Sequence, residues 1–141
     1  MKFVVKKFSM LKPNELYEIL KSRTEIFLLE QNIICQDMDD VDYEAIHMFL
    51  WDNNRVMAYL RLFRINDNDL KIGRVLSISH KMGLGRKLME NALRYIKDNI
   101  SYNYIYIDAQ VQAIGYYEKF GFRVISDEFL DEGIPHKKMM L

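Results

Sequence analysis

The sequence predicts an α/β fold: a mixed, mostly antiparallel central sheet with one parallel strand pair, flanked by helices. Three observations lead there. First, the stretch from Ile72 to Ile78 is rich in β-branched and aliphatic residues and reads as a strand. It passes through a turn holding Gly83 and Gly85 into a helical pattern, with Leu84, Leu88, Ala92 and Ile96 four apart. Second, Tyr104-Ile105-Tyr106-Ile107 reads as a strand beyond that helix. A strand reached through a helical crossover runs parallel to the one before it, with a right-handed connection. Third, the strand patterns upstream are separated by the short polar runs Asp52-Asn53-Asn54 and Asn66-Asp67-Asn68-Asp69, the mark of an antiparallel meander.

The remaining elements follow in chain order. Phe3-Val4-Val5 reads as a first strand. Pro13 suits the first turn of a helix, where its missing N–H costs little, and Leu16, Ile19 and Leu20 supply that helix's apolar face. Ser22-Arg23-Thr24-Glu25 has capping-box spacing and precedes Ile26-Phe27-Leu28-Leu29, so a second helix is expected from about Thr24 to Gln31. Ile46 to Trp51 and Arg55 to Ile65 form the expected hairpin around Asp52-Asn53-Asn54. Ala113 to Phe120 reads as a short helix ended by Gly121, and Phe122 to Ile125 as a strand. Glu128 to Pro135 reads as a loop, and Lys137 to Leu141 as a last strand.

Composition narrows the class. The 141 residues suffice for one domain with a real core, so residues 1–141 are expected to form a single domain. Twenty basic and twenty acidic side chains cancel, without the basic excess that nucleic-acid binding requires. No apolar run approaches the roughly 20 residues of a membrane span, and Lys6 and Lys7 interrupt any signal-peptide pattern. A lone cysteine, Cys35, makes no internal disulfide, so a cytoplasmic setting is the default. His47, His80 and His136 show no metal-ligand spacing, and Asp37-Met38-Asp39-Asp40-Val41-Asp42 lacks the Gly of a calcium loop. That acidic run reads either as a solvated loop or as a negative rim that attracts a cationic amine.

The turn at Gly83 and Gly85 carries the first chemical signal. A strand that enters a helix through such a turn leaves backbone N–H groups without intrahelical partners, and with the helix dipole they form an anion site. A Walker loop does not fit, and the dinucleotide pattern fails where Leu88 replaces its third glycine. The frame that fits is Arg/Gln-x-x-Gly-x-Gly/Ala, here His80-Lys81-Met82-Gly83-Leu84-Gly85. A second motif lies about 30 residues on: Gln110, Ala113 and the run Tyr117-Glu118-Lys119-Phe120-Gly121-Phe122. A third spans Arg23, Phe27, Glu30-Gln31, Asp37, Asp39, Asp42 and His47, and a fourth is Gly133-Ile134-Pro135-His136 followed by Met. Together they resemble the GNAT superfamily of N-acetyltransferases, in its ElaA-like branch, over essentially the whole chain. Two departures stand out. His80 replaces the usual Arg or Gln, and the connection from Arg74 to the Gly loop is about two residues short.

The resemblance implies direct transfer of the acetyl group of acetyl-CoA to a primary amine of a small molecule or peptide. The cofactor-binding positions it implies are Leu76 or Ser77 for the thioester carbonyl, His80, Lys81, Met82, Gly83, Leu84, Gly85 and Arg86 for the pyrophosphate, and Gln110. Tyr117 matches the family's proton donor to the departing thiolate. Glu30 and His47 are alternative bases, and His136 is a third. The other reading of the same fold is a non-catalytic CoA-binding or protein-interaction module. A homodimer through the edge of the final strands is a further expectation.

Overall fold

Eight strands form one sheet in the computed structural model, which describes residues 1–141. In chain order the elements are β1 (Lys2–Lys7), α1 (Pro13–Arg23), β2 (Ile46–Asp52), β3 (Arg55–Arg64), β4 (Asp69–Ser77), α2 (Leu84–Asn99), β5 (Tyr104–Gln110), α3 (Ile114–Glu118), β6 (Arg123–Val124), β7 (Phe129–Asp131) and β8 (Ile134–Met140). Across the sheet the order is β1-β2-β3-β4-β5-β8-β6, and β7 also pairs with β8. Only β4 and β5 run parallel, because only they are joined by the long helix α2. The β2–β3 turn places Asn53 and Asn54 at φ 50° and 56°, the two positive angles that a two-residue hairpin turn requires.

Side chains alternate across the strands, so each face packs against different helices. Met48, Leu50, Ala58, Leu60, Leu62, Ile72, Ile105 and Ile107 point to one face and meet Leu84, Leu88, Met89, Ala92 and Ile96 of α2. Phe49, Tyr59 and Leu76 point to the other and meet Ile19 and Ile26. The expected period of four on α2 is thus the stripe that it buries.

Three expectations needed revision. The second helix does not start at a cap. Ser22 is buried and turns its hydroxyl back to the Ile19 carbonyl, and Thr24 bonds to the Leu20 carbonyl, so the chain continues α1 as a π-helical stretch over Thr24–Glu30. The stretch read as a loop from Glu128 to Pro135 holds the β7–β8 hairpin, turned at Glu132 and Gly133 with φ of 50° and 75°. The last strand begins at Ile134 and lies inside the sheet, flanked by β5 on one side and by β6 and β7 on the other. A second copy pairing there would meet only two or three residues of β6 or β7.

The feature that positions the site is the parting of β4 from β5. Their pairing covers only Asp69↔Tyr104 to Ile72↔Ile107, although both strands continue beyond it. Between Leu60 and its neighbours, β4 carries one more residue than β3: Arg61 pairs with Gly73 but Tyr59 with Leu76. Arg74 takes a left-handed φ of 53° in this bulge. A bulge bends its strand and adds twist, so β4 turns away from β5 where it occurs.

Candidate active site

The opening between β4 and β5 is a cleft of about 710 Å³ that passes from one face of the sheet to the other. Tyr117, Ile107, Ile72 and Ala113 line it from the α2 side. Asp108, Gln110 and His136 line it from the α1 side, as their alternation with Ile107 and Ala109 dictates. Lys71 joins them through an ion pair to Asp108 Oδ2, at 2.6 Å.

Tyr117 is buried in ring contacts with Tyr116 and Phe122, yet its hydroxyl makes no hydrogen bond within the protein. Burial, with Tyr116 adding to it, pushes its phenol well above the ordinary value, so it is held as a proton-bearing donor. On β4, the Ile78 N–H donates to the Met57 carbonyl at 3.0 Å. Antiparallel alternation then turns the Leu76 N–H toward β3 and the Ser77 N–H away from it, toward the parting. Of the two expected positions, Ser77 is the one whose N–H the ladder leaves free.

The Gly loop lies next to the cleft. Gly83 caps α2 at φ 65°, and the first helical bond runs from the Lys87 N–H to the Gly83 carbonyl. The N–H groups of Leu84, Gly85 and Arg86 therefore lack intrahelical partners. Lys81 and Met82 are exposed, and Arg86 pairs with Glu90 on its own helix. Gly85 has a packing reason as well. A Cβ there would sit 3.0 Å from the Tyr116 hydroxyl, which is sealed and unpaired. His80 lines the cleft and bonds through Nε2 to Glu30 at 3.0 Å, tying the end of the π-helical stretch to the loop. Glu30 itself is outside the cleft lining. Gln110 spends its amide on Gln31 and Gln112.

The acidic loop is not the free negative rim that it resembles in sequence. Asp37 bonds to Arg23 and Arg74, Asp39 to Arg61 and Arg74, and Asp42 to Arg23 and Arg61. Three carboxylates and three guanidinium groups thereby close a network over the β4 bulge. The bond from Arg61 holds Asp39 down at about 2. For Asp42 burial opposes ionisation, and the bonds from Arg23 and Arg61 outweigh it and lower its pKa. The network was missed because its arginines lie far from the loop in sequence. His47 belongs behind it: it is buried, its Nδ1 meets the Tyr59 hydroxyl at 2.7 Å, and its Nε2 meets the Asp42 carbonyl at 2.9 Å. Both ring nitrogens are used, burial lowers its pKa, and it does not line the cleft, so the expectation of a base at His47 does not fit its placement.

The family model of the acetyltransferase (GNAT) domain matches residues 28–141. The chain belongs to the GNAT acetyltransferase family. Within it the chain falls in the ElaA-like branch. Protein ElaA of Escherichia coli is 32% identical over 135 residues, covering 91% of this chain and 88% of ElaA. The crystal structure of ElaA superposes with a TM-score of 0.90 at 28% identity, covering 99% and 97% of the two chains. An acyl-CoA N-acyltransferase from Pseudomonas aeruginosa superposes at 0.91 with 33% identity, covering 99% of each. An aminoglycoside 6'-N-acetyltransferase solved with coenzyme A shares the fold at a TM-score of 0.70 with 11% identity, covering 98% and 96%. Membership of the GNAT family implies acyl transfer from an acyl-CoA. For this GNAT protein the sheet is mixed with one parallel pair, as expected, and no helix is long and apolar enough to cross a membrane.

Proposed function

We propose that this GNAT protein transfers the acetyl group of acetyl-CoA directly to a primary amine. The observation that carries the reading is the cleft through the sheet, with a free Tyr117 hydroxyl on its α2 side. The Ser77 N–H receives the thioester carbonyl and stabilises the charge that develops on its oxygen. The unpaired N–H groups of Leu84, Gly85 and Arg86 hold the pyrophosphate, where side-chain identity matters little, so His80 in place of Arg or Gln is tolerated. Tyr117 protonates the sulfur as the C–S bond breaks. Cys35 is exposed on the cleft wall, and partial desolvation, with Glu132 adding to it, raises its pKa, which opposes a thiolate nucleophile.

The test is titration calorimetry with acetyl-CoA and with CoA, followed by thiol release across a panel of primary amines. Micromolar binding with amine-dependent thiol release supports the proposal. Binding without thiol release favours the other reading, a CoA-binding module, and no binding up to millimolar acetyl-CoA overturns both.

A further inference from the structure

His136 is the one buried histidine with a fixed tautomer and a free second nitrogen at the cleft; His80, which also lines the cleft with its Nδ1 unbonded, is 70% exposed on the Gly loop. Its Nδ1 lies 2.7 Å from the Ile134 carbonyl, which only accepts, so Nδ1 carries the proton. The Nε2 lone pair is therefore the unprotonated site. It makes no hydrogen bond within the protein and is not among the polar atoms sealed from solvent. Phe129 on the adjacent strand stacks on the ring at 24° with centroids 6.0 Å apart, which fixes its plane. The residue is only 9% exposed and lines the cleft. By contrast, Glu30 is bonded to His80 outside the cleft lining, and His47 has no free nitrogen.

The sheet puts His136 and Tyr117 on opposite faces. His136 pairs directly with Gln110, which alternates with Ala109 and so faces away from the α2 core. Gln110 is bonded to Gln31, from the segment that follows α1, which confirms the side. Tyr117 belongs to the α2 core. The cleft joins the two faces only where β4 and β5 part.

We propose that His136 is the general base, acting through Nε2 on an acceptor that enters from the α1 face. This rests on the acyl-transfer reading above. Nε2 takes one proton from the acceptor ammonium and exposes the nitrogen lone pair. The C–N bond forms, the C–S bond breaks, and the Tyr117 proton moves to sulfur. The second N–H proton lost by the former ammonium returns through solvent to the Tyr117 oxygen. The sum is one amide, one thiol and one proton released from His136 to water. An imidazole whose second nitrogen is free to accept serves this role.

The test separates the base from a structural part. His136→Asn keeps an amide N–H where Nδ1 donates to Ile134 and removes Nε2. With acetyl-CoA and whichever of spermidine, glucosamine or a lysyl dipeptide the wild type acetylates, kcat/KM for the amine is expected to fall about a hundredfold. Acetyl-CoA affinity by calorimetry should stay within about threefold, because no cofactor contact is removed. His136→Ala should regain part of the lost rate on adding imidazole, which also covers the case that the Asn variant folds poorly. Turnover of His136→Asn within about threefold of wild type, or no imidazole rescue, overturns the assignment alone. A wild type that binds acetyl-CoA but releases no thiol with any of these amines overturns the acyl-transfer reading, and the assignment falls with it.

Discussion

Tyr117 owes its character to neighbours rather than to a bonded partner. Ring contacts with Tyr116 and Phe122 bury it and push its pKa up, so it is protonated across the physiological range. Tyr117→Phe keeps those contacts and removes only the donor. Its kcat is expected to drop by about 10²-fold with acetyl-CoA affinity unchanged, read by thiol release and calorimetry on the same preparation. Its neighbour presents the opposite case. The Tyr116 hydroxyl is sealed without a partner, and burial raises its pKa to about 12. Tyr116→Phe removes an unpaired buried donor, so stability should rise by about 1 kcal/mol in urea unfolding. The helix that carries Tyr117 was legible in sequence because a glycine, Gly121, follows it within the six-residue run from Tyr117 to Phe122. His47 was misread because sequence shows a histidine beside acidic residues, whereas its two ring bonds come from a tyrosine on β3 and from a backbone carbonyl.

At the level of elements, the turn into α2 combines two glycines with different reasons. Gly83 needs its left-handed φ of 65°, with open space around it, whereas Gly85 needs room for the Tyr116 hydroxyl. Gly83→Ala is therefore expected to cost about 1–2 kcal/mol through backbone strain alone, measured by chemical denaturation. The same change should weaken acetyl-CoA binding, since it reorients the N–H groups at the start of α2. Strands, turns and α2 were legible because periodicity and Asn/Gly punctuation are local signals. The π-helical continuation of α1 was not, because Ser22 and Glu25 have the spacing of a cap. Burial sends Ser22 back to the Ile19 carbonyl, and Glu25 pairs instead with Arg55 on β3. The β7–β8 hairpin was missed because its strand of three residues is too short to show alternation.

Across the whole molecule, the arginine–aspartate network pins the loop between α1 and β2 onto the β4 bulge, and so holds open the parting that the site needs. Arg23 is fully buried at its centre, with its guanidinium 5.9 Å from the Tyr59 ring centroid. Arg23→Ala removes one of the two guanidinium partners of both Asp37 and Asp42 and empties a fully buried site, and is expected to destabilise the fold by about 3 kcal/mol in denaturant titration. The folded pKa values of Asp39 and Asp42 lie below their ordinary value of 3.8, with Asp39 at about 2. Their stabilisation is thus fully present above about pH 4 and is lost as pH falls toward 2, where the folded state must take up the protons it had excluded. Acid unfolding followed by circular dichroism should steepen in that window, and Asp39→Asn should flatten it. None of this was visible in sequence, since each partner is distant along the chain. The passage through the sheet also has a kinetic consequence. On the proposed direct transfer both reactants must be aboard before either product departs, and an opening on two faces lets them bind without obstructing each other. Initial-rate lines at varied amine should intersect rather than run parallel, and free CoA should compete with the thioester but not with the amine.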